Sequence, residues 1–329
     1  MEQQKNSIHS ITIIKVIATL FVVYIHGRNI YGYGDVDSPV YFRPLYALFN
    51  TAVPLFFAIS GYLQFRKPVE FKTNLIKKTK RLLIPFLVWN SFYVLLELIG
   101  HKVLPRLFAS TNWGGVLHSI RIVFGIPFYK PPFYNPLWYV RDLFILSLFA
   151  PWIQKSLKKW PIAVFVMSVV IWFLPAHRYF RQALTFFILG GLIATDKKIQ
   201  DWLIAKRSFT VITFVLILGI GTSLFDIEAV QRISIILLIF IVYQGCCCVK
   251  NSTIYGKLIS YSFAIYVLHG KLLSVLQILW MKEWHGMLSA NLGYCILPMF
   301  VFSVCLGASV LFKKIYPRVY AICMGEWKV

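Results

Sequence analysis

The sequence predicts an all-α integral membrane protein of about ten transmembrane helices. Its 329 residues are expected to form a single membrane-embedded domain with both termini cytoplasmic. Three observations predict this. Hydrophobic residues make up 58% of the chain and charged ones only 14%, with a mean hydropathy of +0.69, far more apolar than a soluble domain. Runs of about 20 mostly apolar residues, enough to cross a hydrocarbon core, recur along the whole chain. Of the 34 Lys and Arg residues, which leave a formal net charge of +22, 21 gather on one side, at the N-terminus, in alternate loops and at the C-terminal end. In a soluble protein that charge would suggest a nucleic-acid partner. The alternation assigns it to topology and anionic lipid headgroups, with no nucleic acid.

The first run, 10 to 28, has no small-residue cleavage site and leads into further spans, so it is expected to be an uncleaved first helix. The second, 44 to 64, ends in the most basic loop, containing Arg66, Lys67, Lys72, Lys77, Lys78, Lys80 and Arg81. After the third, 82 to 100, comes the longest extramembrane piece, 101 to 135, with TNWGG and FGIPFYKPPFYNP. Its Gly, Pro and aromatic content suggests an ordered external loop or a partly re-entrant segment, since irregular backbone at membrane depth must be buried or line a cavity. The fourth run, 136 to 153, is followed by Lys155, Lys158 and Lys159; the fifth and sixth, 161 to 176 and 182 to 195, are short, with Pro161 and Pro175 near their ends. The remaining runs lie at 208 to 225, 229 to 249, 257 to 280 and 291 to 312. Alternation puts 21 basic residues on one side and ten on the other, which makes the first side cytoplasmic.

Several chemistries are excluded by pattern. No Walker loop, dinucleotide glycine fingerprint, HExxH or GxSxG is present. The six cysteines have no metal-ligand or redox spacing and read as packing residues, and Asp35 and Asp37 read as a solvated turn, so no metal site is expected.

What stands out is ionisable residues inside apolar runs. In IIKVIATLFVVYIHG, Lys15 and His26 are eleven residues apart, about 20° from three full turns, so they share a helix face about 16 Å apart along the axis. Lys15 falls at the cytoplasmic edge and His26 toward the outer half. A snorkelling lysine and a packing histidine are the structural readings; a functional pair is the other, because charges at membrane depth mark sites by default. Glu97, Arg141, Asp142 and His269 are similarly placed. Adjacent Arg141 and Asp142 point to different helix faces and need not pair with each other, so at least one is expected to pair with another helix. His269 is either a hydrogen-bonded packing element or a lining residue.

KVIATLFVVYIHG resembles the opening helix of acyltransferase family 3, the integral-membrane acyltransferases of cell-surface sugars. VPLFFAISGYL is similar to that family's second helix and KRLLIPFLVWN to its entry into the third. PLWYVRDLFILSLFAPWI, FFILGGLI and SYSFAIYVLHGKLL follow in the family's order, so the resemblance covers essentially the whole chain. The family's first-helix basic residue is usually Arg; Lys15 supplies a compact charge in place of a bidentate fork. Longer relatives append an esterase-like domain, and this chain is expected to be of the short, stand-alone type.

The resemblance implies transfer of an acyl group, most often acetyl from acetyl-CoA, from cytoplasmic acyl-CoA to a sugar hydroxyl on a lipid-linked or polymeric glycan. The acyl-CoA is a substrate, and no permanently bound cofactor is expected. The location implied is a bacterial cytoplasmic membrane. A sugar hydroxyl needs a base, and a neutral imidazole is the usual one, which makes His26 the candidate. Lys15 is placed to meet a CoA phosphate, with Arg81 and Lys80 as further CoA contacts. Trp138, Tyr139 and Arg141 are candidates to bind the sugar, as are the loop aromatics Tyr31, Tyr33, Tyr41, Phe133 and Tyr134. His269 and Tyr266 are candidates to polarise the carbonyl or bind acceptor. The rival reading is a transporter or flippase of a glycan intermediate, using His26, Glu97, Arg141 and Asp142 as a polar pathway; no inverted repeat is visible to support it.

Overall fold

The computed structural model describes residues 2–103, 120–121, 123–125, 131–174, 178–196, 198–199, 209–225, 227–249 and 253–326. Most of the expected external loop at 101 to 135, including TNWGG, lies outside the described residues, as do Arg106, Lys130, Lys197, Lys206, Arg207, Lys250 and Lys328. The described residues are almost entirely helical and contain no strand. Hydrocarbon offers the backbone no hydrogen-bond partner, so helices, which satisfy it internally, are what apolar runs of this length form.

Among the described residues six helical segments are long and apolar enough to cross a membrane: Ser10–Tyr33, Val40–Phe65, Phe71–Gly100, Glu228–Cys246, Ile254–Glu283 and Met287–Ile315. Three more apolar helices, Pro161–Phe173, Tyr179–Thr195 and Val211–Ser223, are shorter. The expected fourth span is not one helix. Trp138–Leu148 ends at Phe149, and Ala150–Lys159 starts anew with Pro151 in its first turn, where a missing N–H does no harm. Large apolar side chains such as Ile162, Phe214 and Leu288 are 60–75% exposed, as lipid-facing residues are and soluble surfaces are not.

The chain forms two compact units. The first comprises residues 1–56 and 201–311. It holds α1 (Glu2–Gly27), α2 (Asn29–Tyr33), α3 (Arg43–Phe49) and the start of α4 (Ala52–Phe65). It also holds α11 (Phe209–Ser223), α12 (Glu228–Cys248), α13 (Thr253–Leu258), α14 (Ser262–Glu283) and most of α15 (Met287–Ile315). α1 packs on α14, and Val23, Ile265, Leu273, Tyr294 and Val301 are buried in their shared core. α11 and α12 pair where Ser234 donates to the Gly219 carbonyl at 2.8 Å, a polar tie of the kind that joins helices in lipid.

The second unit, residues 57–200 and 312–329, holds the rest of α4, then α5 (Phe71–Lys78), a π-helical turn (Thr79–Leu83) and α6 (Ile84–Val103). Next come α7 (Trp138–Leu148), α8 (Ala150–Lys159), α9 (Pro161–Phe173), α10 (Arg178–Thr195) and α16 (Pro317–Met324). Here the glycines of the FFAISGYL and FFILGGLI segments acquire a reason. A Cβ on Gly61 would lie 2.0 Å from the Phe187 carbonyl oxygen, and one on Gly190 would lie 1.9 Å from that of Ala58. α4 and α10 therefore touch backbone to backbone, as small residues allow between membrane helices. Buried Asn74 accepts from Gln64 Nε2 at 2.9 Å and donates to the Ser147 carbonyl at 2.6 Å, tying α5 to α4 and α7.

Candidate active site

In the first unit, α1 and α14 bring two imidazoles together. The rings of His26 and His269 lie with centroids 5.1 Å apart and planes inclined at 49°. His269 is fully buried, and its Nδ1 lies 2.7 Å from the Tyr266 carbonyl oxygen and 3.3 Å from that of Ile265. Both neighbours are acceptors, so Nδ1 carries a proton, and in a neutral ring the lone pair is on Nε2. That Nε2 is buried and has no hydrogen-bond partner among the described residues. His26 is half-buried. The Tyr266 ring lies 6.2 Å from that of His269, within the same cluster.

The end of α1 is fixed from two sides. Carbonyls in a helix's last turn have no following N–H to accept from. Gln277 of α14, 1% exposed, supplies one, donating Nε2 to the Gly27 carbonyl at 2.7 Å and reaching that of His26 at 3.3 Å. On the other side a Cβ at Gly27 would sit 2.9 Å from Pro298 Cγ of α15. Gln277 was not singled out from sequence; its signal is a lone amide in the apolar run LLSVLQILW. Lys15, on the same helix as expected, is half-buried and forms no ion pair among the described residues. Its carbonyl accepts from Thr19 Oγ1 at 2.8 Å.

The second unit gathers the other candidates. Trp138 and Tyr139 open α7, and both pack on Phe57 of α4, at centroid distances of 6.0 and 4.8 Å. Tyr139 shares a 3.3 Å hydrogen bond with Ser60, the serine of FFAISGYL. Trp138 also lies against Tyr179, 5.1 Å away. Lys80 and Arg81 lie in the π-helical turn, which packs on α7; Arg81 is exposed and Lys80 half-buried.

Arg141 and Asp142 do pair with each other, Nε to Oδ1 at 2.8 Å. The long guanidinium side chain folds back along the helix, because an isolated carboxylate in an apolar interior is the costlier arrangement. Arg141 also donates to the Gly125 carbonyl at 2.9 Å. Buried Asn90, another residue sequence reasoning missed, donates to the Val123 carbonyl and accepts from the Tyr134 N–H. Of the loop aromatics, Tyr31 is buried with its hydroxyl on Asn291, and Tyr134 is stacked on Tyr93 at 3.7 Å, so neither presents an open face for a sugar. Tyr33 and Tyr41 are exposed and Phe133 half-buried. No cluster of metal ligands occurs among the described residues, and Cys295, Cys305 and Cys323 are free thiols.

A family model described as an acyltransferase domain matches residues 8–313. The succinoglycan biosynthesis protein ExoH of Rhizobium meliloti (strain 1021) is 26% identical over 162 residues, 45% of this chain. The match spans 42% of that relative's length, less than half of it. No solved structure matches the chain.

Proposed function

The chain belongs to the acyltransferase family whose model covers its residues 8–313, and from that premise we propose that it acylates a sugar hydroxyl with cytoplasmic acyl-CoA. The acceptor is a cell-surface polysaccharide or its lipid-linked precursor, a class to which the name of the succinoglycan relative also points. Acetyl is the group favoured by the family resemblance. The protein is an integral membrane one; in this reading it crosses a bacterial cytoplasmic membrane ten times with both termini cytoplasmic, and the turn that holds Arg81 faces the donor.

The observation that carries this reading is the His26–His269 pair, 5.1 Å between ring centroids, on two helices of one unit. Helices hold an imidazole more firmly than loops do. In the reaction, His26 takes the proton of the acceptor hydroxyl as its oxygen bonds to the thioester carbonyl carbon. The carbon–sulfur bond then breaks, and the imidazolium returns the proton to the departing CoA thiolate. His269 and Tyr266 border that reaction centre. Lys15, on the same helix, is the first unit's proposed contact for CoA phosphate, and Arg81 and Lys80 are proposed separately as the second unit's CoA contacts. Trp138 and Tyr139 contact the sugar, and Arg141 supports them by holding the backbone of 124–125.

The test is purified protein in liposomes with labelled acetyl-CoA and a glycan acceptor. Acceptor-dependent CoA release is the expected result; sugar movement without CoA consumption would overturn the proposal in favour of a transporter. Mass spectrometry of envelope glycans with and without the protein then names the acyl group and its carrier.

A further inference from the structure

The donor site proposed above rests on a basic turn that is not ordinary α-helix. Thr79–Leu83 is π-helical, with Lys80 and Arg81 inside it, and such one-turn bulges are frequent at functional sites. What lies against its backbone is the last described helix of the chain. α16 ends in a Schellman motif: Gly325 is left-handed at φ 68°, its N–H donates to the Ile322 carbonyl at 3.3 Å, and the Glu326 N–H donates to that of Ala321 at 2.9 Å. The glycine is needed twice over. A Cβ there would meet the Arg81 carbonyl oxygen at 2.6 Å and its Cα at 3.0 Å, both backbone atoms that cannot swing aside. The helix is itself anchored, Tyr320 and Met324 being buried and Trp89 of α6 donating to the Cys323 carbonyl at 3.0 Å. Beyond the glycine, Glu326 pairs with Lys313 at 2.8 Å.

We infer that α16 is part of the donor site, with Gly325 as a positioning residue that seats the Arg81 backbone in its π-helical turn and so directs the exposed guanidinium toward the CoA phosphates. The inference rests on the reading of Arg81 as a CoA contact. It adds that a residue far along the chain, with no charge and no side chain, sets donor affinity. A plain helix cap would stop α16 but would have no bearing on CoA.

The experiment is calorimetric titration of coenzyme A, the part common to every acyl-CoA, into the full chain in nanodiscs. Arg81→Ala is expected to weaken binding about tenfold, the loss of one charge-assisted phosphate contact. Gly325→Asn is the diagnostic variant, because Asn tolerates the left-handed conformation and preserves the cap while placing a Cβ against Arg81. It is expected to weaken CoA about fivefold, with no further loss when combined with Arg81→Ala, as two changes acting through one contact behave. Unchanged CoA affinity in Gly325→Asn, or losses that add to those of Arg81→Ala, overturns the inference and leaves the proposed function standing. Wild-type protein that does not bind CoA, or an Arg81→Ala variant that binds it normally, overturns the donor reading and this inference together. Should Gly325→Asn not fold, Glu326→Gln loosens the same helix end without adding an atom near Arg81. A two- to threefold weaker affinity is then expected, and an unchanged one overturns the inference.

Discussion

The two units treat buried polar residues differently. Around Asp142 of the second unit, Arg141 is bonded to the carboxylate and to a backbone carbonyl, and Asn90 uses both ends of its amide. In the His26–His269 pair of the first, His269 is fixed through Nδ1, and its Nε2 is left without a partner among the described residues. Arg141 and Asn90 are bonded at each end and held still; a group with an unused lone pair, such as His269 Nε2 and, among the described residues of the second unit, Asp142 Oδ2, can accept a proton or a substrate. The contrast separates residues that shape the protein from residues free to act, though both are intramembrane and ionisable.

The sharpest way to break that contrast is to exchange the residues on each side of it. His26→Ala is expected to cut acyl transfer about a thousandfold, within the usual range for a lost general base, with the melting temperature nearly unchanged. Activity near wild type would remove His26 from the mechanism. Arg141→Ala is expected to show the opposite pattern, a stability loss of about 3 kcal/mol from leaving Asp142 buried and unpaired, read as a lower melting temperature. A raised acceptor KM at unchanged melting temperature would instead make Arg141 a sugar ligand. Gln277→Leu is an intermediate case: it frees the last carbonyls of α1 and is expected to lower kcat about tenfold while leaving CoA affinity alone, as loss of a supporting residue does. The smallest effect belongs to Tyr139→Phe, which removes the bond to Ser60 and is expected to cost about 1 kcal/mol of stability by thermal denaturation.

Much of this was legible in the sequence because membrane helices announce themselves by length and composition. Lys15 and His26 could be placed on one helix from spacing alone, and α1 contains both. The glycines of FFAISGYL and FFILGGLI could be quoted, but not their contact, since Gly61 and Gly190 are far apart in the chain. Among the described residues six spans are long where ten crossings are expected: three apolar runs form shorter helices, and a fourth breaks at Phe149, where a helix stops and another starts within one apolar run, a break hydropathy does not see. The roles of Gln277 and Asn90 were hidden for a different reason. Both bond to backbone groups brought to them by the fold, and a backbone group leaves no mark in a sequence.

The π-helical turn has a consequence in helical phase. A π-helical turn takes in one residue more than an α-helical turn, which offsets everything before Thr79 by about 100° relative to everything after Leu83. Phe71–Lys78 and Ile84–Val103 run end to end, yet their faces are out of step, like two halves of a shaft joined with a twist. A single-residue deletion within Thr79–Leu83 would restore one continuous phase and swing Lys77 and Lys78 about a quarter turn around the axis. The chain's most basic segment owes its direction to one extra residue.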